Sequence, residues 1–366
     1  MRVSAWLPRL RRGSAPAPGL ALALLAGLLL TACADGGGAG GLSSPVLARI
    51  HARGRLVCGI NGQLPGFSSL ASDGRYHGLD VEICRALAAA VFADPSRLEL
   101  RPVTTTERFA ALASGDVDVL SRNTTVSLSR DASAGNALSF APVVFHDGGA
   151  LMAPVASGIH GVADLAGKTV CVLSGTSNET VLADRMRLLG LPYTPLHFRG
   201  ADQTFDAYQA GRCAAVTSDR SGLAARRSRF ADPGAHRILP ELLSREPLAP
   251  ATAQSDPAWA DAVRWVVYAL IEAEERGITQ ANVKATLAAA KADPARAELR
   301  RFLGVEAELG SQLGLANDFV VQVLAAVGHY GEIFERNVGM ASPLKIERGA
   351  NRLFRDGGLM VSPPFR

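Results

Sequence analysis

The chain has 366 residues, of which 48% are hydrophobic and 20% charged, ample for a folded core and suggestive of about two domains. The formal charge of +4 is misleading, because Arg2, Arg9, Arg11 and Arg12 are the only charged residues before Cys33. Without them, 34 basic residues face 34 acidic ones, so neither a nucleic-acid footprint nor a basic membrane-binding surface is indicated.

Those four arginines open a leader, followed by the apolar run GLALALLAGLLLTA, which is short for a bilayer span. Two readings of it stand. It is a secretory signal cut at a small-residue site, or a lipoprotein signal, since Leu30-Thr31-Ala32-Cys33 resembles a lipobox that would make Cys33 a lipid-bearing N-terminus. DGGGAGGLSSP then reads as a flexible tether. In either case the body is exported. The remaining cysteines, Cys58, Cys84, Cys171 and Cys213, favour disulfides over metal or redox chemistry, with no CxxC spacing and no histidine cluster.

RLVCGI (55–60) predicts a strand and LDVEICRALAAAVF (79–92) an amphipathic helix. RLELRPV is a strand, ERFAALASG a short helix ending at Gly115, and DVDVL a strand. The same alternation restarts with strand KTVCVL, turn SGTSNE and helix TVLADRMRLLG, then strand LHF, helix ADQTFDAYQAG and strand RCAAVTSD. Each block has the grammar of a parallel α/β sheet. The expected fold is therefore two similar α/β lobes with a cleft between them. Proline-bearing connections fall near 141–151 and 244–251, and a long helix follows with Pro257 at its first position. The expected division is 1–32 leader, 33–45 tether, 46–147 first part of lobe I and 148–245 lobe II. Residues 246–366 return to lobe I and add a C-terminal helical extension. Cys58 with Cys84, and Cys171 with Cys213, are the pairs this layout brings together within single lobes.

Enzymatic motifs are weak. GKT at 167–169 precedes a strand rather than a helix and lacks the upstream glycine of a phosphate loop, and no Gly-x-Ser-x-Gly elbow occurs. The seven histidines are scattered singly. No catalytic residue, metal or cofactor is expected. SGTSNET (174–180), between a strand and a helix, offers backbone N–H groups and hydroxyls to an anion, or else only an N-cap supplied by Ser177 or Asn178. Arg130, closing LSRNTTVSLSR, carries the planar fork that matches a carboxylate. Asp219 lies where a strand ends, the side of open α/β sheets that ligands favour, unless it merely caps the helix beginning SGLAARR. Arg130, Thr125, Ser177 and Asp219 together match the two poles of a zwitterion.

The ordered set RGRLVCGINGQLPGFS, GLDVEICRALAAAVFADPSRL, ERFAALASGDVDVLSRNTTVSLSRD, AGRCAAVTSD and the C-terminal YGEIFERNVG to VSPPFR resembles the type II periplasmic solute-binding proteins of amino-acid ABC importers. The likeness is strongest to the general L-amino-acid binding proteins and covers about residues 45 to 366. It implies a two-lobed periplasmic-binding-protein-like fold closing on its ligand by hinge motion. Arg130 would grip the α-carboxylate, assisted by Asn123, Thr125 and Ser127, the last standing where threonine is usual. Gly175, Thr176 and Ser177 would add donors, and Asp219 would take the ammonium group. Relatives place an aromatic against the ligand where this chain has Leu64, with Phe67 nearby, in keeping with a looser, generalist pocket. The implied partners are an L-amino acid and the permease and ATPase subunits of an importer. No nucleic acid is implied, and membrane contact would come only through a lipid anchor. The resemblance leaves two alternatives, a periplasmic enzyme on the same scaffold, such as a cyclic amino- or keto-acid dehydratase, and an extracellular sensor.

Overall fold

The computed structural model describes residues 44–366; the leader, Cys33 and most of the tether lie outside the described residues. Helix α1 (Pro45–Arg53) leads into β1 (Leu56–Ile60). A small antiparallel ribbon follows, made of β2 (Gln63–Leu64), β3 (Ser68–Leu70) and β4 (Tyr76–His77). Next come α2 (Leu79–Phe92), β5 (Leu98–Pro102), α3 (Arg108–Ala113), β6 (Val119–Leu120), α4 (Leu128–Asp131) and β7 (Leu138–Phe140). Strand β8 (Phe145–Asp147) carries the chain into the second lobe.

That lobe contains β9 (Gly149–Pro154), β10 (Thr169–Leu173), α5 (Ser177–Leu188), β11 (Thr194–Phe198), α6 (Ala201–Gln209), β12 (Ala215–Asp219), α7 (Arg220–Arg227) and β13 (His236–Ile238). The chain returns through β14 (Glu246–Leu248) and β15 (Ala251–Ala253) to α8 (Pro257–Glu275). It ends with α9 (Val283–Ala292), α10 (Ala297–Phe302), α11 (Phe319–Val327), α12 (Tyr330–Asn337) and an irregular tail.

Two five-stranded sheets result, ordered β5-β1-β6-β15-β7 and β11-β10-β12-β9-β13. In each, the three strands of the βαβ units pair in parallel, and the strands leading to or from the crossovers add antiparallel edges. The two crossovers β8 and β14 pair with each other, Asp147 opposite Glu246 and Phe145 opposite Leu248, and form the hinge between the lobes.

Alternation along β10 shows why each sheet is covered on both faces. Val170 and Val172 join Leu182 and Met186 of α5 in one core, whereas Cys171 joins Phe205 and Tyr208 of α6 in another. Cys58 is bonded to Cys84 and Cys171 to Cys213, so one disulfide ties β1 to α2 within lobe I and the other ties β10 to the turn before β12 within lobe II. Helix α2 starts at Gly78 because φ is +135° there and a Cβ would stand 2.2 Å from the Phe67 carbonyl oxygen. Helix α8 starts where expected: Pro257 occupies its first turn and the Asp256 carboxylate accepts from the Trp259 N–H at 2.9 Å.

The C-terminal extension is part of lobe I's core. Phe319, Val320 and Leu324 of α11 and Tyr330 and Phe334 of α12 are buried with Leu87 of α2 and Trp259 of α8. It also braces the hinge. Tyr330 donates its hydroxyl to the Val144 carbonyl at 2.8 Å, and the Asn351 side chain bonds both the N–H and the C=O of His146.

Candidate functional site

A cleft opens between the lobes beside the hinge. Lobe I's wall is built from the segment after β6. Asp80, in the first turn of α2, accepts from the Ser121 hydroxyl at 3.4 Å and lies near the Asn123 backbone N–H and the guanidinium of Arg122. Burial pushes its carboxyl up to about 7 against those attractions. Arg122 is itself anchored, donating from Nε to the Val103 carbonyl at 2.8 Å and from Nη2 to Thr105 Oγ1 at 3.1 Å. Asn123 adopts φ +38°, a left-handed conformation that asparagine tolerates better than most residues. Its side chain accepts from Asn61 at 3.3 Å and reaches across the cleft to Asp219 Oδ2 at 3.5 Å. Arg130, in the last turn of α4, donates Nη1 to the Thr125 carbonyl at 2.8 Å and packs against the Phe109 ring. Burial lowers its pKa, while Glu246 and Asp219 hold it up.

Lobe II's wall begins at the turn between β10 and α5. Thr176 caps that helix, its Oγ1 accepting from the Glu179 N–H at 3.2 Å and donating to the Leu173 carbonyl at 2.8 Å. Ser177 is thereby freed. Its hydroxyl lies 3.3 Å from that of Thr125 in the opposite lobe, and both donate to one oxygen of Glu246, at 2.7 and 2.6 Å. Asp219 ends β12 and makes no side-chain cap for α7. One of its carboxylate oxygens instead accepts from Asn178 Nδ2 at 2.8 Å.

The hinge adds two carboxylates, Glu246 buried and Asp147 half-buried. Asp147 accepts from the backbone N–H and hydroxyl of Ser221, and Glu246 also accepts from Ser244. Burial, then the proximity of Asp147, push Asp219 up to about 7, with the Asn178 and Asn123 amides opposing. Burial likewise raises Asp147 to about 6. An acid so placed is completed by a cation: an ammonium group at Asp219 would relieve the repulsion that now raises its pKa.

Of the ten residues singled out in the sequence for ligand contact, the cleft is lined by Leu64, Asn123, Thr125, Arg130, Thr176, Ser177 and Asp219. Three depart from expectation. Phe67 is 1% exposed and packs edge-on against Phe145 in the core, 5.1 Å between centroids, so it does not face the cleft. Ser127 precedes α4 with its hydroxyl 3.4 Å from that of Ser129, on the exposed side. Gly175 is not among the lining residues; its N–H is taken by Glu179, and its carbonyl accepts from Arg108 of the opposite wall at 3.4 Å. Thr176 supplies the cap expected of Ser177 or Asn178, and Asn178 instead holds Asp219.

The sequence reading missed Asn61, Thr105, Arg108, Arg122 and Arg226 on the walls and Glu246 behind them. Arg122 stands within the very segment chosen for Arg130, and its isolated charge beside a buried strand was the available signal.

The family described as bacterial extracellular solute-binding proteins, family 3, matches residues 56–301. The general L-amino acid-binding periplasmic protein of Rhizobium johnstonii is 44% identical over 331 residues, 90% of this chain and 95% of its own length. The glutamate/glutamine/aspartate/asparagine-binding protein of Rhodobacter capsulatus is 42% identical over 328 residues, again 90% and 95%. Among solved structures, an ABC transporter periplasmic binding protein from Brucella ovis with glutathione bound superposes with a TM-score of 0.83 at 43% identity. That likeness covers 88% of this chain and all of the other.

Proposed function

The chain belongs to the bacterial extracellular solute-binding proteins of family 3, and from that premise we propose that it is the periplasmic receptor of an amino-acid ABC importer. It captures L-amino acids of several kinds in the cleft and delivers them, unchanged, to a membrane permease. The observation that carries this reading is the placement of opposite charges on opposite walls of one cleft: Arg130 with the Thr125 hydroxyl on lobe I, Asp219 with Asn178 on lobe II. Every L-amino acid has both poles, so contacts to those poles serve many side chains at once. Leu64, on the same cleft, offers the side chain an apolar surface without fixed hydrogen bonds.

Contacts on both walls coexist only when the lobes are together, so binding shifts the population toward closure about the β8–β14 hinge. Cys33, as a lipidated N-terminus, would tether the receptor to a bacterial membrane through the glycine-rich segment. The test is calorimetry of the purified protein against a panel of L-amino acids, with the mass of the recovered ligand measured. Binding of several amino acids recovered intact is expected; a changed mass would make the protein an enzyme, and no binding would remove the reading.

A further inference from the structure

Glu246 is 1% exposed and is not among the residues lining the cleft, yet its side chain is bonded to both walls. One carboxylate oxygen, Oε2, accepts from the Thr125 hydroxyl of lobe I at 2.6 Å and from the Ser177 hydroxyl of lobe II at 2.7 Å. The other, Oε1, accepts from Ser244, whose own oxygen takes the Gly149 N–H at 3.2 Å where β9 begins. Its side-chain hydrogen bonds among the described residues thus all come from hydroxyls.

The two hydroxyls reach Oε2 from different bodies. Thr125 is fastened to β14: it bridges to Leu248, the Val126 N–H donates to the Pro247 carbonyl at 2.8 Å, and the Ala249 N–H donates to the Thr124 carbonyl at 3.0 Å. Ser177 opens α5 in lobe II and has no backbone bond to β14 among the described residues. Rotation about the hinge therefore carries Ser177 away while Thr125 stays beside Glu246. One oxygen keeps both donors only while each lies within about 3 Å of it, and with the walls together the hydroxyls are 3.3 Å apart. The other side-chain hydrogen bonds across the cleft among the described residues are long, 3.4 Å from Arg108 to the Gly175 carbonyl and 3.5 Å from Asn123 to Asp219. A bond to an ionised acceptor is also roughly twice as strong as a neutral one. Because the Thr125 carbonyl holds Arg130 at 2.8 Å, Glu246 joins the start of α5 to the residue that carries Arg130.

We propose that Glu246 is the latch of the closed receptor, a positioning residue that stands behind the walls and holds lobe II against the Arg130 wall through Ser177. This rests on the reading of the cleft as the ligand site and adds to it the residue that sets how long a ligand is retained. The charge of Glu246 makes the idea testable by sign. It repels Asp147, its partner across the β8–β14 pair, and Asp219, and it lies behind the wall that meets the ligand's carboxylate. A buried acid in such company is unfavourable unless its hydrogen bonds compensate. Without Glu246 a latched receptor releases its ligand sooner. A receptor relieved only of a repelling charge would hold the carboxylate more tightly.

The experiment measures dissociation of L-glutamine and L-alanine by stopped-flow fluorescence from wild type, Glu246→Leu and Glu246→Gln. Glu246→Leu removes both acceptor oxygens and is expected to release both ligands about tenfold faster. Glu246→Gln keeps one acceptor oxygen for the two hydroxyls and is expected to stay within about threefold of wild type. Unchanged or slower release from Glu246→Leu overturns the latch. So does equal acceleration in both variants, which would make the charge the operative feature, or acceleration for one ligand alone, which would make Glu246 a side-chain contact. Should Glu246→Leu fail to fold, Ser177→Ala takes its place. It is expected to release both ligands about tenfold faster and, with no ligand added, to have a larger radius of gyration than wild type in small-angle scattering. Unchanged release or an unchanged radius overturns the proposal. If wild type binds no amino acid, the receptor reading falls first, and the scattering comparison still judges the latch.

Discussion

The two walls of the cleft carry opposite charge in opposite ways. On lobe I, cations project from the segment after β6 and from two short helices, α3 and α4, and most are braced by backbone carbonyls before any ligand arrives. On lobe II, where Arg226 is paired with Asp202, a single lining carboxylate sits at a strand end, held by neutral amides and crowded by hinge carboxylates. One wall is thus preset for an anion, and the other is in an unfavourable state until a cation reaches it. A zwitterion completes both, and only with the lobes together, which is how a binding site becomes a closing device.

The largest effects should come from removing either pole. Truncating one member of a buried charge pair costs about 2–5 kcal/mol in binding, so Arg130→Ala and Asp219→Ala should each weaken every amino acid by roughly 30-fold or more, read by calorimetry. Loss for some side chains only would turn a shared anchor into a specificity contact.

The lobes should also differ in their dependence on their disulfides. Cys171–Cys213 closes a separation of 42 residues in a lobe with small cores, whereas Cys58–Cys84 closes 26 in a lobe backed by the C-terminal helices. Replacing the lobe II pair by alanines should destabilise by roughly 2–4 kcal/mol, and replacing the lobe I pair by less, in denaturant unfolding.

Proton linkage sharpens the contrast further. The ammonium binds the ionised form of Asp219, which in the empty protein titrates near pH 7. Affinity for a neutral amino acid should therefore fall as pH drops from 8 to 5, by up to roughly 90-fold across the window, and Asp219→Asn should flatten the profile. For the empty fold the sign reverses. A carboxyl raised above its unfolded value disfavours folding as pH rises from about 4 toward 7, so Asp219→Asn should stabilise the ligand-free protein at pH 8. The smallest effect belongs to Leu64→Ala, which should reorder affinities among side chains by a few-fold and leave the common loss seen in the pole mutants absent.

Much of the architecture was legible in the sequence, because strand-helix alternation and apolar periodicity depend on local pattern. Helix 79–92 occupies the span its periodicity predicted, and β1, β10 and β12 fall within the apolar runs chosen for them. Arg130 and Asp219 were legible as charges at element ends. What escaped was convergence. Arg108 reads as an ordinary polar residue of a short amphipathic helix, and Glu246 as a charge in a proline-bearing connection; only the hinge pairing of β8 with β14 brings Glu246 beneath Thr125 and Ser177. Phe67 was misplaced for the complementary reason: a loop aromatic suits a ligand or a core equally, and the fold of β2 and β3 turned it inward.

The account depends most on each pole of the ligand meeting its own wall, and one thermodynamic cycle tests that directly. L-Glutamine and its analogue lacking the α-ammonium group are titrated into wild type and into Asp219→Ala. Wild type should lose roughly 30-fold or more when the ammonium is removed, and the variant, already without its partner, should lose only a few-fold. An equal loss in both proteins would mean that the ammonium group is held elsewhere, and the division of charge between the lobes would not be the basis of binding.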